Sequence, residues 1–393
     1  MSIALSSGAH DQMTTRILYV DHADLMGGAE QSLLRLMAGL DHAQFTPILA
    51  CNPDTPICAA ARGQGITTRL VDLGQLRGQR YPVRLMRTWR RGIAGLLKVI
   101  RQHDIQLVHS NVMRASLYAA PAARLAGMPL IWHVRDIHEE RRYVRWMGRM
   151  AARIIVISQA VAEPLPAQAQ HKIRSVPDGL DISRYGPDAA SRHAFRSEFD
   201  IGADDLVVGH ISWLSPWKQP DLFLKMAQAV AGLVPKSRFV IVGEAAHPSH
   251  REFVDNLKRE AHVTLGERCI FTGAQSPIQR ALAGFDLLVH TSRAEPLGLV
   301  IVEAMASGLP VAAFADGGVP GIIVDGMTGR LTPPGDMPAL VNAVSDLLQH
   351  PEKRAAMGAA GRQRAGAEFS VARMVRRTEA VYDELLGRGR HDR

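Results

Sequence analysis

Short apolar runs alternate with amphipathic stretches along most of the chain. Each run is long enough for a buried strand, and the stretches between the runs have the periodicity of helices. Strands and helices that alternate in this way predict parallel sheets covered on both faces. The strand candidates of the first half are residues 16–20, 47–50, 67–71, 105–109, 130–134 and 153–157. Those of the second half are residues 206–212, 238–243, 269–273, 286–290 and 311–314.

The stretch from residue 286 to residue 314 has the most informative pattern. An apolar run is followed by a polar turn, by a helical stretch from near Leu297 to Gly308, and by a second apolar run. This order predicts a strand, a loop, a helix and a parallel strand, and ligands bind at the carboxyl ends of such strands. Glu295 lies in the loop, and Glu303 lies about two helical turns further on. We therefore expect one carboxylate at the crevice and the other along the helix flank.

The chain of 393 residues is 47% hydrophobic, which suffices for two cores of roughly 150–200 residues each. The three cysteines lack the spacing of a metal site, so we expect reduced thiols. No apolar run reaches the ~18 residues of a membrane span, so we expect a cytoplasmic protein. We expect a disordered N-terminus over residues 1–15, a first domain over 16–186, a linker over 187–198, a second domain over 199–370 and a C-terminal helix over 371–393.

The net charge of +8 is concentrated in the first half of the chain. Residues 1–190 contain 23 Lys and Arg against 15 Asp and Glu, whereas residues 191–393 contain 23 of each. A cluster in residues 141–149 mixes basic and aromatic side chains. The cations are densest from residue 73 to residue 103, where no acidic residue occurs: Arg77, Arg80, Arg84, Arg87, Arg90, Arg91, Lys98 and Arg101.

Basic residues interleaved with aromatic ones have several interpretations. They suit an anionic membrane surface, an anionic glycan or a nucleic acid, and they also occur on the solvated faces of ordinary helices. No helix-turn-helix, zinc or RNA-binding signature accompanies the charge, so we expect no nucleic acid partner. Our hypothesis is that the basic first half holds the protein at the anionic inner face of the cell membrane, as a peripheral protein.

Two loops have features of anion-binding sites. Gly27 and Gly28 follow the first strand candidate and precede a helix, and backbone N–H groups at such a junction converge on an anion. A glycine turn that is required only for its φ angles fits the same residues. Lys218 lies in a strand-to-helix loop, where a lysine neutralises a diphosphate, although most lysines are simply solvated.

Polar residues end three strand candidates of the first half, and the ends of parallel strands meet at one edge of a sheet. These residues are His109, His133 with Arg135 and Asp136, and Ser158. A lone histidine at a strand end is more often a structural residue than a catalyst. An arginine aimed into a crevice, however, suits a phosphate or a carboxylate. We therefore take His133 and Arg135 as candidate catalytic residues.

The frame around Glu295 and Glu303 resembles a family motif. Ser292, then Glu295-Pro-Leu-Gly298, then Glu303-Ala-Met-Ala-Ser-Gly-Leu-Pro310, is similar to the Glu-seven-residues-Glu motif of the retaining, GT-B-fold glycosyltransferases of family 4. Such a resemblance implies an α/β protein of the GT-B fold, with two doubly wound, Rossmann-like parallel-sheet domains facing a central cleft. The N-terminal domain would be the acceptor side, the C-terminal domain would bind the nucleotide sugar, and the last helix would cross back to the N-terminal domain.

The resemblance also implies a reaction and roles for residues. The reaction is transfer of a hexosyl group from a nucleoside diphosphate sugar to an acceptor, with retention of configuration. Glu295 would face the donor sugar, Glu303 would hold the ribose hydroxyls, and Lys218 would bind the diphosphate. No Asp-x-Asp occurs, so we expect neither a metal nor a cofactor. The remaining donor-binding candidates are Gly27, Gly28, Gly273, Leu297, Gly298 and Leu299.

We expect the acceptor to be lipid-linked or a growing surface glycan, as in polysaccharide or lipopolysaccharide biosynthesis. Several positions depart from the family pattern. Trp213 replaces an arginine that binds the diphosphate, Asp178 replaces an asparagine, Gly321 replaces a glutamate, and Arg135 stands where a histidine is common. Two alternatives stay open at this point: a GT-B sugar-nucleotide epimerase and a catalytically idle GT-B nucleotide-binding module.

Overall fold

The computed structural model describes residues 14–76, 82–138 and 140–388. Residues 1–13 of the predicted disordered N-terminus therefore lie outside the described residues. Arg77 and Arg80 of the basic stretch and residues 389–393 of the predicted C-terminal helix lie outside them as well. The strands are β1 (Thr15–Val20), β2 (Phe45–Cys51), β3 (Thr67–Leu70), β4 (Leu107–Ser110), β5 (Leu130–Val134), β6 (Arg153–Val156), β7 (Ile173–Ser175), β8 (Leu206–Ile211), β9 (Ser237–Val242), β10 (Cys269–Gly273), β11 (Leu287–His290), β12 (Val311–Phe314) and β13 (Arg330–Thr332).

Helices connect most of the strands and cover both faces of each sheet. They are α1 (Gly28–Gly39), α2 (Pro56–Gly63), α3 (Pro82–Gln102), α4 (Met113–Ala126), α5 (Arg141–Met150), α6 (Gln159–Ala162), α7 (Ala189–Glu198), α8 (Pro220–Leu233), α9 (Arg251–Leu265), α10 (Ile278–Gly284), α11 (Leu299–Ala306), α12 (Val319–Ile322), α13 (Met337–Gln349), α14 (Pro351–Glu368) and α15 (Val371–Leu385).

The strands form two parallel sheets. The order of the seven-stranded sheet is β3-β2-β1-β4-β5-β6-β7, and that of the six-stranded sheet is β10-β9-β8-β11-β12-β13. Both orders reverse direction beside the first strand of the sheet, which is the switch point where ligands bind in doubly wound folds. The predicted fold class of two Rossmann-like domains is confirmed. The three-residue edge strands β7 and β13 were missed, because so few residues show no periodicity.

Apolar strands that are buried on both faces form the centre of each sheet. All four residues of β4, β11 and β12 are buried, and both β4 and β11 end in polar residues at the carboxyl edge. This burial explains why these strands read as continuous apolar runs without alternation. The polar ends of the strands consequently lie together at the edge where the two sheets face each other.

The segment that connects the two sheets packs on the second domain, and the C-terminal helix packs on the first domain. Within residues 187–198, which we predicted as the linker, Ala189–Glu198 is helix α7 and packs against α10, with Phe195 fully buried. Helix α15 packs against α1, and the Tyr382 hydroxyl lies 2.7 Å from that of Tyr19 in β1. Among the described helices, none is both long and apolar enough to cross a membrane.

Candidate active site

A cavity of about 480 Å³ lies at the carboxyl ends of both sheets. Its wall combines loops of both domains, as expected for the cleft between two doubly wound sheets. Most of the predicted site residues border it: Gly27, Gly28, Arg135, Lys218, Glu295, Leu297, Gly298, Leu299 and Glu303. Sequence positions more than 270 residues apart therefore contribute to one wall.

The loop after β11 holds Glu295 in a fixed position. Ala294 has a φ of 49°, a conformation that non-glycine residues seldom adopt and that only surrounding contacts can maintain. Those contacts are backbone hydrogen bonds on both sides: Arg293 N donates to Trp217 O at 3.0 Å, and Gly318 N donates to Glu295 O at 2.7 Å. The loop is therefore braced by the turn after β8 and by the paired glycines after β12.

Glu295 is charged and paired in this structure. Its Oε2 lies 2.6 Å from Lys218 Nζ and 3.3 Å from His290 Nε2. Burial by itself raises the pKa of Glu295, but the approach of His290 and the ammonium of Lys218 outweigh it and lower the pKa to about 2. Such a carboxylate is a weak proton acceptor at neutral pH, and it suits electrostatic work or hydrogen bonding to hydroxyl groups.

Lys218 contacts an aromatic ring as well as a carboxylate. Its ammonium lies 4.2 Å from the ring centroid of Trp217, which is within the range of a cation–π interaction. Trp217 and Trp213 are each about half exposed, although both are large apolar side chains, and both border the cavity. The turn that carries Lys218 thus places its ammonium against the Trp217 ring and the Glu295 carboxylate, while Trp213 borders the same cavity.

Glu303 lies on helix α11, whose N-terminus opens on the cavity at Gly298 and Leu299. Amide groups at a helix N-terminus favour an anion, so this end of α11 suits a phosphate. The Tyr185 hydroxyl donates a hydrogen bond to Glu303 Oε1 at 3.1 Å. Burial raises the pKa of Glu303, while the Tyr185 hydrogen bond and the charge of Arg35 oppose the rise.

On the N-terminal side, the glycine turn is occupied by its own helix. The Glu30 carboxylate accepts the Gly27 N–H at 2.8 Å, and a Cβ on Gly27 would lie 2.9 Å from that same oxygen. The Gly27 amide is thus committed to a capping interaction in this structure rather than directed at an anion. Gly28 begins α1 beside it and also borders the cavity.

Arg135 is held by a buried polar network. Its guanidinium forms an ion pair with the Asp178 carboxylate, and its Nε donates to Asn111 Oδ1 at 2.7 Å. The Ser32 hydroxyl donates to the same Asp178 carboxylate at 2.6 Å. Both members of the ion pair are almost fully buried, so the guanidinium has a single well-defined position at the cavity wall.

Two predicted site residues do not border the cavity. His133 is 1% exposed, and its Nδ1 lies 3.0 Å from His109 Nε2 behind Arg135. Burial, followed by the charge of Arg135, lowers the pKa of His133 well below its usual range, so the ring is neutral. In this structure His133 therefore contacts the cavity wall only indirectly, through Arg135 Nη2 at 3.5 Å, and its catalytic role stays a prediction. The second residue is Gly273, which does not border the cavity, although its neighbours Ala274 and Gln275 do.

Sequence reasoning overlooked several residues of this site. Tyr185 was placed only at the end of the predicted first domain, and nothing in its local sequence indicates a contact with Glu303, which lies 118 positions away. His290 and Trp217 had a usable signal, because His290 ends a strand at the carboxyl edge and Trp217 directly precedes Lys218.

Comparison with known proteins agrees with this geometry. Residues 26–184 match the family model described as Glycosyltransferase Family 4, and residues 191–364 match the one described as Glycosyl transferases group 1. The two models together span almost all of both domains.

Characterised relatives and solved structures point the same way. The chain is 29% identical over 303 residues to the GDP-mannose-dependent alpha-(1-6)-phosphatidylinositol monomannoside mannosyltransferase of Mycolicibacterium smegmatis, covering 72% of this chain and 78% of the relative. It is 29% identical to a GDP-mannose-dependent alpha-mannosyltransferase of Mycobacterium tuberculosis, covering 92% of each. The crystal structure of Anabaena HepE in complex with UDP superposes with a TM-score of 0.81 and 26% identity, covering 94% of this chain and 100% of that one.

The fold, the cleft and both family models define a class of enzyme, the glycosyltransferases that use nucleotide sugars. Within that class, the chain belongs to the GT-B glycosyltransferases of family 4.

Proposed function

We propose that this protein transfers a hexosyl group from a nucleoside diphosphate sugar to a lipid-linked or growing surface glycan, with retention of configuration and without a metal. The observation that carries the proposal is the ion pair of Lys218 and Glu295 beside the N-terminus of α11, with Glu303 on the same helix. This arrangement supplies a cation for a diphosphate, a carboxylate for sugar hydroxyls and a second carboxylate for a ribose.

In the proposed reaction the bond from the anomeric carbon to the diphosphate oxygen breaks, and a bond from that carbon to the acceptor oxygen forms on the same face. The departing phosphate takes the acceptor's proton, so the protein supplies no general base. The low pKa of Glu295 supports this, because a carboxylate paired with Lys218 is a weak proton acceptor. The negative charge of the leaving diphosphate is stabilised by Lys218 and by the amides at the start of α11.

The proposed membrane position rests on helices α3 and α5, which both pack against α4. Arg84, Arg87, Arg90 and Arg91 are exposed on α3, and Val83 and Met86 beside them are 81% and 51% exposed. Cations that surround exposed apolar side chains on a helix suit an anionic lipid surface. The basic residues of α5 that are exposed on the same domain are Arg141, Arg142, Arg145 and Arg149.

This surface and one relative support the proposed lipid-linked acceptor. The Mycolicibacterium smegmatis relative is named for a phosphatidylinositol monomannoside acceptor, which is a membrane lipid. An enzyme held at the inner face of the membrane by its acceptor-side domain meets such a substrate directly. We therefore place the protein in the cytoplasm, with peripheral attachment to that membrane.

A donor panel tests the reaction. The purified protein is incubated with GDP- and UDP-sugars and membranes of its host, and nucleotide release and sugar incorporation are followed with and without EDTA. We expect incorporation from one donor, insensitive to EDTA, and at least about a hundredfold loss in Glu303→Ala and Lys218→Ala. The anomeric configuration of the product is then read by NMR.

Other outcomes of the panel would contradict the proposal. Conversion of the donor to another nucleotide sugar without an acceptor would indicate an epimerase. Nucleotide binding with no turnover on any membrane fraction would indicate an idle binding module. Inversion of configuration would retain the transferase and overturn the proposed stereochemistry.

Vesicle binding tests the membrane position. Sedimentation with phosphatidylcholine vesicles, with and without phosphatidylglycerol, is compared for the wild type and for the triple variant Arg87→Glu, Arg90→Glu, Arg91→Glu. We expect binding only with the anionic lipid and its loss in this variant. The control Arg251→Glu, Lys258→Glu, Arg259→Glu changes the net charge equally on exposed positions of α9 and should bind as the wild type does. Equal loss in both variants would contradict a specific surface.

A further inference from the structure

The Glu303 carboxylate accepts a hydrogen bond from a residue outside helix α11 and outside the second sheet. The donor is Tyr185, which lies between β7 and α7 in the segment that joins the two sheets. Among the residues that the structure describes, Tyr185 is the hydrogen-bond partner of the Glu303 carboxylate, and Arg35 of α1 supplies the nearby positive charge. Within the described part of the chain, the half-buried Glu303 carboxylate therefore depends on one hydroxyl group for its hydrogen bond.

The ring of Tyr185 is fixed in its position. The side chain is 7% exposed, and its backbone carbonyl accepts a hydrogen bond from Arg362 Nη1 at 2.9 Å. The same Arg362 nitrogen donates to Ala306 O, the last residue of α11, at 2.5 Å. Arg362 thus joins the Tyr185 backbone to the helix that carries Glu303, which sets the distance between the hydroxyl and the carboxylate.

Tyr185 and Glu303 differ in their access to ligand. Glu303 borders the cavity, whereas Tyr185 is not part of its wall. A hydrogen bond to one carboxylate oxygen restrains rotation of the group and leaves the other oxygen able to accept from new donors. The hydroxyl also helps to keep the half-buried Glu303 carboxylate charged. Removing it would allow the carboxylate to rotate and would favour its protonation.

We infer that Tyr185 is a positioning residue that orients Glu303 to accept hydrogen bonds from the ribose of the donor nucleotide. The inference rests on the proposed donor site and names the residue that sets its selectivity for ribose. A misaligned or protonated Glu303 still fills the same space. The loss of Tyr185 should therefore affect recognition of the ribose hydroxyls far more than binding of the diphosphate.

Ribose and deoxyribose nucleotides separate these two effects. Isothermal titration of the full chain measures the affinity for GDP and 2′-deoxy-GDP, and for UDP and 2′-deoxy-UDP. For the base that binds, we expect the wild type to prefer the ribonucleotide by about tenfold or more, as for a hydrogen bond to a charged acceptor. In Tyr185→Phe this preference should fall to about twofold or less, with nearly unchanged affinity for the deoxynucleotide.

A matched control removes another tyrosine hydroxyl. Tyr118 is fully buried, and its hydroxyl donates to Gly74 O at 2.8 Å within the N-terminal domain, away from the cavity wall. Tyr118→Phe should keep the ribose preference of the wild type. Equal weakening of both nucleotides in Tyr185→Phe, or an unchanged preference, would overturn the inference.

Two further variants keep the test decisive. If Tyr185→Phe does not fold, Arg362→Met removes the donor that anchors the Tyr185 carbonyl, and an unchanged ribose preference there overturns the inference. Glu303→Gln tests the underlying site. A preference lost in Glu303→Gln but kept in Tyr185→Phe would overturn this inference alone, whereas a wild type that binds neither nucleotide would overturn the proposed donor site as well.

Discussion

The ammonium of Lys218 lies 2.6 Å from the carboxylate of Glu295, and the side chains are 14% and 9% exposed. Each therefore neutralises a charge that would otherwise be poorly solvated. In the proposed reaction a donor diphosphate takes over Lys218 and a sugar hydroxyl donates to Glu295. The ion pair keeps both residues in place before the donor arrives, and its exchange for donor contacts is part of binding.

Removing the cation from this pair should weaken both stability and binding. In Lys218→Met the buried Glu295 charge loses its partner, and we expect a loss of about 2–3 kcal/mol in the free energy of unfolding, reduced from the full cost because the cavity admits water. Nucleoside diphosphate affinity should fall about tenfold or more. Urea unfolding and calorimetry measure the two effects. The double variant Lys218→Met, Glu295→Gln should recover most of the stability but not the affinity.

The low pKa of Glu295 predicts how stability depends on pH. A glutamate titrates near 4.3 in the unfolded chain and at about 2 here, so its contribution is complete above the unfolded value and is lost as the pH falls toward 2. We expect Glu295→Gln to be less stable than the wild type at pH 6, by up to about 3 kcal/mol, and the difference to shrink between pH 4.5 and pH 2. Denaturation at several pH values measures it. Glu252→Gln, at an exposed position, should show no such trend.

Gly317 supports the loop that holds Glu295. Its φ is 60°, and a Cβ at this position would lie 2.2 Å from the carbonyl oxygen of Glu295. We expect Gly317→Ala to displace the loop and lower transferase activity at least about tenfold, since small misplacements of reacting groups are costly. Gly326→Ala is the control, because its φ is 75° and a Cβ there meets nothing within 4 Å. Equal activity of the two variants would contradict the role of the loop.

Arg135 and Asp178 form a buried ion pair at two positions where the family resemblance implies a histidine and an asparagine. The single variant Asp178→Asn leaves a buried guanidinium without its counter-charge, and we expect a loss of about 3–5 kcal/mol in the free energy of unfolding. The double variant Arg135→His, Asp178→Asn removes the charge and restores the family residues. Thermal and urea denaturation of Asp178→Asn, of Arg135→His and of the double variant give a double-mutant cycle that measures the coupling between the two positions. Additive losses would show that the two positions are independent.

The course of the strands was predictable because short apolar runs and the helical periodicity between them are local signals. The elements that the sequence did not predict are short or lie in polar stretches. The edge strands β7 and β13 contain three residues each and show no periodicity, and α7 lay in a polar stretch that we read as a linker. Its one deeply buried aromatic residue, Phe195, packs on Phe285, a contact that no local pattern reveals.

The sequence by itself determined most of the elements, the two sheets and the edge at which their polar residues gather, because each depends on neighbours along the chain and on the direction of parallel strands. Only the tertiary structure decided which polar groups meet. Lys218 pairs with Glu295 across 77 positions, and Tyr185 with Glu303 across 118. His133 lies behind Arg135. The sequence could not show this, because all five residues of strand β5 are buried and their apolar pattern does not indicate which side chain borders the cleft. Such pairings follow from packing between distant segments, which a linear pattern does not encode.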